Sequence, residues 1–458
     1  MISLENFTFK LSKFVKETKY ENLPEEVINE TKKRILDVVG IGLSGFDSVP
    51  GREITKYIKN NNYNGKSTLW GSGIKTSAEY AALANATMTF HLELDDVHRT
   101  SHTHPGVSTI PVALALVEEL NLTGKELIEA IVVGYEIGIR VGLALSPSIY
   151  VDRPFLAPGT LSTFSSAAAA AKLYDYNLDE IVGILGSAAY ITPISPFETF
   201  KRGFSTKDII MGWGGLTGII SAKIREYNFE GADTGIEGEF GYAETAAEHY
   251  DIDKGLSNIS DEYLILKTGV KPYACCRQHH AAIDATLAIR NKYDIDVNNI
   301  KKITDQTFKV SSRGNNPKPR TISEAKYSNP YIIAVALLEG DAWRGQFTEA
   351  KIKDPDILDL ASKVEVINDD QLDKLYDEKW PSIITITMKN GEEYSERIDL
   401  PKGEPEHPVS DEELKNKYLS LSTDTISNKR AEKIWNMTMK IDELENVYEF
   451  TSLLFERG

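Results

Sequence analysis

PSIITITMKNGEEYSERIDL, residues 381–400, is the passage on which the fold reading turns. β-Branched residues alternate through IITIT, Asn390-Gly391 follows, and a second alternating run, EYSERI, closes the passage. Alternation of period two places successive side chains on opposite faces of a strand, and Asn-Gly supplies the left-handed backbone of a tight turn. IKKITDQTFKV (300–310) alternates in the same way. Between these β signals lie the helical stretches HHAAIDATLAIRNKY (279–293) and NPYIIAVALLEGD (329–341). The mixture predicts a small α+β domain beginning near residue 269.

Everything upstream reads as helix after helix. Leu23-Pro24-Glu25-Glu26 opens VINETKKRILDVVGIGL, Ser77 precedes AEYAALANATMTFHLEL, and Thr123-Gly124-Lys125-Glu126 has the spacing of a capping box. LSTFSSAAAAAKLY and WGGLTGIISAKI carry the small residues of helices packed closely among other helices. From Ser410 onward the chain is helical and charged again. The prediction is a mostly α protein: a large, discontinuous all-helical domain, 1–268 plus 405–458, with a smaller α+β lid domain, 269–404, inserted before the C-terminal helices.

A length of 458 residues is consistent with two domains. A net charge of −17 argues against nucleic acid or an anionic membrane as partner, but not against an anionic substrate bound by a few converging cations. The two cysteines, Cys275 and Cys276, are adjacent, which suits neither a structural disulfide nor an iron–sulfur cluster. The start, MISLENFTFK, has no basic flank and apolar run, and no apolar window is long enough to cross a membrane. The expectation is a cytoplasmic enzyme.

Two passages carry chemistry. HLELDDVHRTSHTHPG (91–106) holds four of the eight histidines, with Glu93, Asp95 and Asp96 among them. A helix is expected to end near Asp95-Asp96 and another to begin near Val107, leaving a polar loop. Such a loop suits acid–base chemistry, because imidazole titrates near neutrality and a carboxylate can orient it. A metal site using His102, His104 and a carboxylate is the alternative, although the spacing matches no familiar ligand motif. A merely solvated His-rich loop is the other. KPYACCRQHHAAIDA (271–285) gathers Lys271, Arg277, His279 and His280 just before a helix, an arrangement that favours an anion. Lys207 and Arg153 are unremarked cations in isolation.

Taken in order, HLELDDVHRTSHTHPG, VSTIPVALALVEEL, PGTLSTFSSAAAAAKL, KPYACCRQHHAAIDA and SEAKYSNPYIIAVALLEGD resemble the MmgE/PrpD family along most of the chain. The family includes dehydratases of 2-methylcitrate, decarboxylases of cis-aconitate and epimerases of iminodisuccinate. The resemblance implies a helical domain and a lid with the active site between them, a homodimer, and proton transfer beside a carboxylate without metal or organic cofactor. It carries over Glu93, Asp95, Asp96, His104, Lys207, Lys271 and His280 as site residues. This chain departs from the decarboxylase pattern at Val97, at an extra residue before His104, and at Arg153 and Cys276, which stand where that pattern has histidines. It also has no tyrosine near Ser311 to Asn315.

The resulting expectation is a cofactor-independent lyase that dehydrates a small hydroxy-polycarboxylate resembling 2-methylcitrate. An epimerase or isomerase of a dicarboxylate such as iminodisuccinate is the runner-up. A metal-dependent hydrolase and a non-catalytic anion-binding protein follow. One of His104 and Lys271 would take the proton, and the other, or His102, would return one. Asp95 or Asp96 would fix the imidazole tautomer. Lys207, Arg277 and Arg153 would hold carboxylates, with Glu93, Cys276, His279 and His280 completing the wall.

Overall fold

The computed structural model describes residues 6–153, 155–259 and 261–455. The first five residues of MISLENFTFK, and Pro154 beside Arg153, lie outside the described residues. The fold is mostly helical, with a small β-containing region ahead of the C-terminal helices.

The helical part is organised around α1 (Glu25–Phe46), α2 (Ala78–His91), α3 (Pro105–Leu120), α4 (Gly124–Leu145), α5 (Ala157–Leu173) and α6 (Ile210–Lys223). α5 is central and packs against α3, α4 and α6. Its run of alanines, Ala167 to Ala171, is wholly buried, which lets neighbouring helices approach closely. The glycines of α6 serve the same end: a Cβ at Gly212 would collide with the Leu83 carbonyl of α2, and one at Gly218 with Ser166 of α5. The Thr123 capping box starts α4 as expected. Ser77 stands at the cap position of α2, but its side chain makes no capping hydrogen bond. The named strands in this half are a two-residue antiparallel ladder, Ser67–Thr68 against Lys75–Thr76.

The smaller part holds a four-stranded sheet. β1 (Ile300–Thr307) lies between β2 (Val364–Asn368), which is parallel to it, and β3 (Ser382–Met388), which is antiparallel. β4 (Glu393–Ile398) forms the hairpin with β3, and Gly391 turns it at φ 92°. Along β3, Ser382, Ile384, Ile386 and Met388 are buried in alternation, as the period predicts. α7 (His280–Lys292) and α8 (Asn329–Glu339) share with this sheet an apolar cluster that includes Ile283, Ile289, Ile303, Ile332 and Ile386. Ile41, Leu94 and Leu421 join the same cluster from outside the lid segment, so apolar packing ties the two parts together.

After the sheet region, the chain returns to the helical part. α9 (Asp411–Ser422) packs along α1, and Tyr418, Ile434 and Phe450 belong to the large helical core. Lys417 of α9 is buried. Its Nζ donates to the Leu94 carbonyl at 2.7 Å and pairs with Asp37 of α1 at 2.7 Å. Lys417→Met leaves Asp37 buried without its cation, which is expected to cost about 3–5 kcal/mol of stability in urea unfolding. Adding Asp37→Asn should restore most of that loss. A double variant no more stable than the single one would show that charge compensation is not what Lys417 contributes.

Candidate active site

The helix entering HLELDDVHRTSHTHPG ends at His91, earlier than its sequence suggests, because Glu93 takes a left-handed backbone, φ 57°. The next helix, α3, starts at Pro105, directly after His104. Between them the chain pairs with the start of the lid: Val97 N–H donates to the Gly269 carbonyl at 3.0 Å, and Gly269 N–H returns a bond to Val97 at 2.7 Å. That short bridge delivers Lys271, two residues on, to the acids of the loop.

The result is a buried cluster. The Lys271 ammonium lies 3.2 Å from Asp95 Oδ1 and 3.5 Å from Glu93 Oε2. Asp95 Oδ2 is in short contact with Nδ1 of His104. Lys207 Nζ is 3.0 Å from Glu93 and 3.0 Å from Asp208, whose other oxygen is 2.8 Å from His91 Nδ1. Tyr327 donates its hydroxyl to Glu93. Phe90, Phe200 and Tyr327 surround the Lys207 ammonium at 5.2, 5.7 and 5.8 Å from their ring centres.

Charge follows from this geometry. Burial pushes the Asp95 carboxyl up, but the Lys271 ammonium and the His104 ring hold it well below the usual carboxylate range. Glu93 is likewise held down, against burial, by Lys207 and Lys271. Lys271 is raised, against burial, by Asp95 and Glu93. Asp95 is therefore an acceptor, so Nδ1 of His104 donates to it and Nε2 is the ring nitrogen outside that bond. Among the described residues, no hydrogen bond occupies that Nε2.

Asp96 faces the other way. Its Oδ1 accepts from the Gly106 N–H of α3 at 3.1 Å, and its environment includes Arg34 and Asp37. It therefore holds the start of α3, and Asp95 alone contacts His104. Burial, with the charges of Asp95 and Asp37, pushes Asp96 up to about 6.

Phe90, Glu93, His102, His104, Lys271, Cys276 and Arg277 all line one small chamber, with a volume of about 40 Å³. His102 sits at φ 55°, stacked on Tyr150 with ring centres 4.9 Å apart and bonded through Nε2 to the Tyr376 hydroxyl at 2.6 Å. Burial lowers its pKa to about 3, so the ring is neutral. Arg277 lines the chamber, but its guanidinium pairs with Glu404 at 2.7 Å. Lys207 lies behind Glu93 and is not part of the wall. His280 is a layer back, 2.8 Å from Arg277, and His279 lines an outer cavity instead. Arg153 is not brought to either cavity; it donates to the Ala247 carbonyl at 3.2 Å and lies 3.9 Å from Glu248. Its expected carboxylate contact has no geometric support, because the segment after α4 turns the side chain toward 247–248.

The sequence reading passed over Lys326 and Tyr327. Both lie in SEAKYSNP, which contributed to the family resemblance without marking either residue, and which runs into the Ser328 cap and Pro330 at the start of α8. Lys326 Nζ donates to the carbonyls of His91 and Leu92, at 3.1 and 3.0 Å, and so braces the turn into Glu93. Tyr150, Tyr376 and Trp380 were missed for the same reason: nothing local marks a ring that reaches a cavity from a distant segment. Among the described residues, no three His, Cys, Asp or Glu side chains are grouped as ligands for a metal ion. No helix among them is long and apolar enough to cross a membrane.

Asp96 makes a prediction in pH. Because its folded pKa is raised from 3.8 to about 6, the folded state binds more protons than the unfolded one across that window, and stability falls as pH rises through it. Asp96→Asn keeps an acceptor for Gly106 and removes the charge. Its stability relative to the parent in urea should grow between about pH 4 and pH 6 and then level off. A difference independent of pH would refute the placement of a protonatable carboxyl there.

Residues 10–254 match the MmgE/PrpD N-terminal domain and residues 273–443 the MmgE/PrpD C-terminal domain. The chain is 25% identical to the cis-aconitate decarboxylase of Mus musculus, with 98% of this chain and 94% of that protein covered. It is 26% identical to the enzyme of Homo sapiens, with 98% and 95% covered. The cis-aconitate decarboxylase of Aspergillus terreus (strain NIH 2624 / FGSC A1156) is 24% identical, with 95% and 93% covered. With both family domains matched over nearly the whole length, and the acids, His104 and Lys271 of its motifs gathered in one buried cluster, the chain belongs to the MmgE/PrpD family.

Proposed function

We propose that the protein is a lyase that removes a proton beside a carboxylate of a small polycarboxylate and expels water, acting through side chains alone. The observation that carries this reading is the His104–Asp95–Lys271 cluster on the chamber wall. His104 is the base: Asp95 orients it and leaves Nε2 free to take the proton. As that C–H bond breaks, its electron pair forms the carbon–carbon double bond, and the C–O bond to the hydroxyl breaks. Lys271, kept protonated by Asp95 and Glu93, supplies the proton that turns the leaving hydroxyl into water. Its ammonium also faces the negative charge that builds on the substrate carboxylate. His102 is neutral, with both nitrogens engaged, so it suits shaping the chamber better than donating a proton.

The chamber shares Tyr150, Phe200, Cys276, Gln278 and Tyr327 with an outer cavity of about 910 Å³, which places the two side by side. Small-molecule sites usually occupy roughly 300–1,000 Å³, a range that the outer cavity meets and the inner chamber alone does not. Decarboxylation is named for the relatives above. At the two positions where the decarboxylase pattern has histidines, this chain has Cys276 in the wall and Arg153 outside it, which favours elimination or simple proton exchange.

The direct test is NMR of the enzyme in D₂O with 2-methylcitrate, citrate, cis-aconitate, and iminodisuccinate formed from oxaloacetate and ammonia. An alkene from a hydroxy acid is expected. Deuterium exchanged into an α-carbon without elimination would make the protein an epimerase or isomerase. Carbon dioxide release from cis-aconitate would make it a decarboxylase. His104→Gln should lower kcat on the active substrate by roughly 10²–10⁴-fold with the circular dichroism unchanged, and near-normal kcat would remove His104 as base. Lys271→Arg keeps the ion pairs while impairing proton donation, so kcat should fall with little change in KM. A rise in KM alone would make Lys271 a carboxylate clamp.

A further inference from the structure

The inner chamber offers an anion little net attraction. Both cations in its wall are matched, Lys271 by Asp95 and Glu93 and Arg277 by Glu404, and Lys207 behind the wall is matched by Glu93 and Asp208. The outer cavity differs. Its wall carries Lys201, Arg202, Arg313, Lys318 and Arg320 against one carboxylate, Glu324. Arg320 pairs with Glu324 at 2.9 Å, and Arg202 lies 3.9 Å from Glu198. Among the described residues, Lys201, Arg313 and Lys318 make no ion pair. The cations come from both parts of the fold, 201–202 from the helical part and 313–320 from the smaller one. The chain as a whole carries −17, which makes this mouth a local reversal of sign.

We propose that the outer cavity is an electrostatic collector for polycarboxylates, with Lys201, Arg313 and Lys318 as its working charges. This rests on the polycarboxylate reading of the inner site. Like charges on a concave wall focus their field into the opening and raise the encounter rate of anions, more for a trianion than a dianion and not at all for a neutral molecule. At low salt the field reaches well beyond van der Waals contact, about 30 Å at 0.01 M against about 10 Å at 0.1 M. The collector acts on substrate before it enters the chamber, so it sets kcat/KM and leaves kcat alone.

The test uses Lys201→Gln/Arg313→Gln/Lys318→Gln in one chain. The control, Lys13→Gln/Lys389→Gln/Lys433→Gln, removes the same number of charges from residues that line neither cavity. Cys276 is a built-in reporter, because it lines both cavities while Cys275, the other cysteine, is buried. Its rate of modification by a dianionic aromatic disulfide is divided by that for a neutral disulfide, at low and high salt. In the parent and the control this ratio should be high at low salt and fall as salt is added. In the cavity variant it should be about tenfold lower at low salt and nearly independent of salt. With the substrate found above, kcat/KM should show the same loss at low salt, with kcat unchanged. Equal ratios in parent and cavity variant, an equal loss in the control, or a loss confined to kcat would each overturn the collector. The thiol measurement needs no turnover. If the parent transforms nothing in the panel, the lyase reading fails while the ratio still decides the collector. If the cavity variant matches the parent in both readouts, the collector fails and the lyase reading stands.

Discussion

Everything at this site depends on burying charge in alternation. His91, Asp208, Lys207, Glu93, Lys271, Asp95 and His104 form one series in which each carboxylate touches a cation or an imidazole on either side. A single ion taken out of water costs several kcal/mol, so the buried lysines and carboxylates of the series depend on one another. The partners are remote in sequence: Lys207 and Glu93 are separated by 114 residues, Lys271 and Asp95 by 176. The contact between the smaller part and the helical part is thus made through the cluster itself. Apolar packing through Leu94 and Ile41 supplies the adhesion, and the ion series supplies the register.

The register is enforced at the backbone. Glu93 and His102 both adopt left-handed φ angles, a conformation that costs a side-chain-bearing residue on the order of 1 kcal/mol. At Glu93 that cost is offset by hydrogen bonds from two buried lysines to three neighbouring carbonyls. Lys326 takes those of His91 and Leu92, and Lys417 takes that of Leu94. These lysines arrive from the lid and from the C-terminal helix. Burial pushes Lys326 down to about 8, against the pull of Glu93 and Asp208. Its hydrogen-bond partners are main-chain dipoles, so it braces the turn without neutralising the acids that the chemistry uses.

Local signals in the sequence were sufficient for much of the fold. The alternation of 382–388, the Asn390-Gly391 turn and the Thr123 capping box are decided within a few residues, and each is present. The gathering of Glu93, Asp95, His104 and Lys271 was legible only because motif order pointed to a known arrangement. Which of Asp95 and Asp96 meets His104 was not legible. Adjacent residues in an irregular loop have no fixed facing, and the choice is made by the N-terminus of α3, which takes Asp96. Arg153 was expected as a clamp only through the family resemblance, where it stands in place of a histidine, and the turn after α4 sends it to 247–248. Tyr327 and Tyr376 reach the site from segments whose own sequences announce only a cap or a turn.

The separation of chemistry from attraction follows from the same energetics. Unpaired cations inside the chamber would draw a polycarboxylate strongly, but each would destabilise the empty protein by the desolvation cost of an uncompensated charge. Pairing them with Glu93, Asp95, Asp208 and Glu404 removes that cost and much of the long-range attraction with it. Exposed cations on the outer wall carry almost no such penalty, because water solvates them. On the proposed reading, unmatched charge at the mouth and matched charge at the reacting carbon let an acidic protein draw in an acidic substrate without storing bare charge in its core. It also means that the two tasks can be altered separately: the mouth by changing exposed residues that pack against little, the chamber only by changing residues on which the docking of the two parts depends.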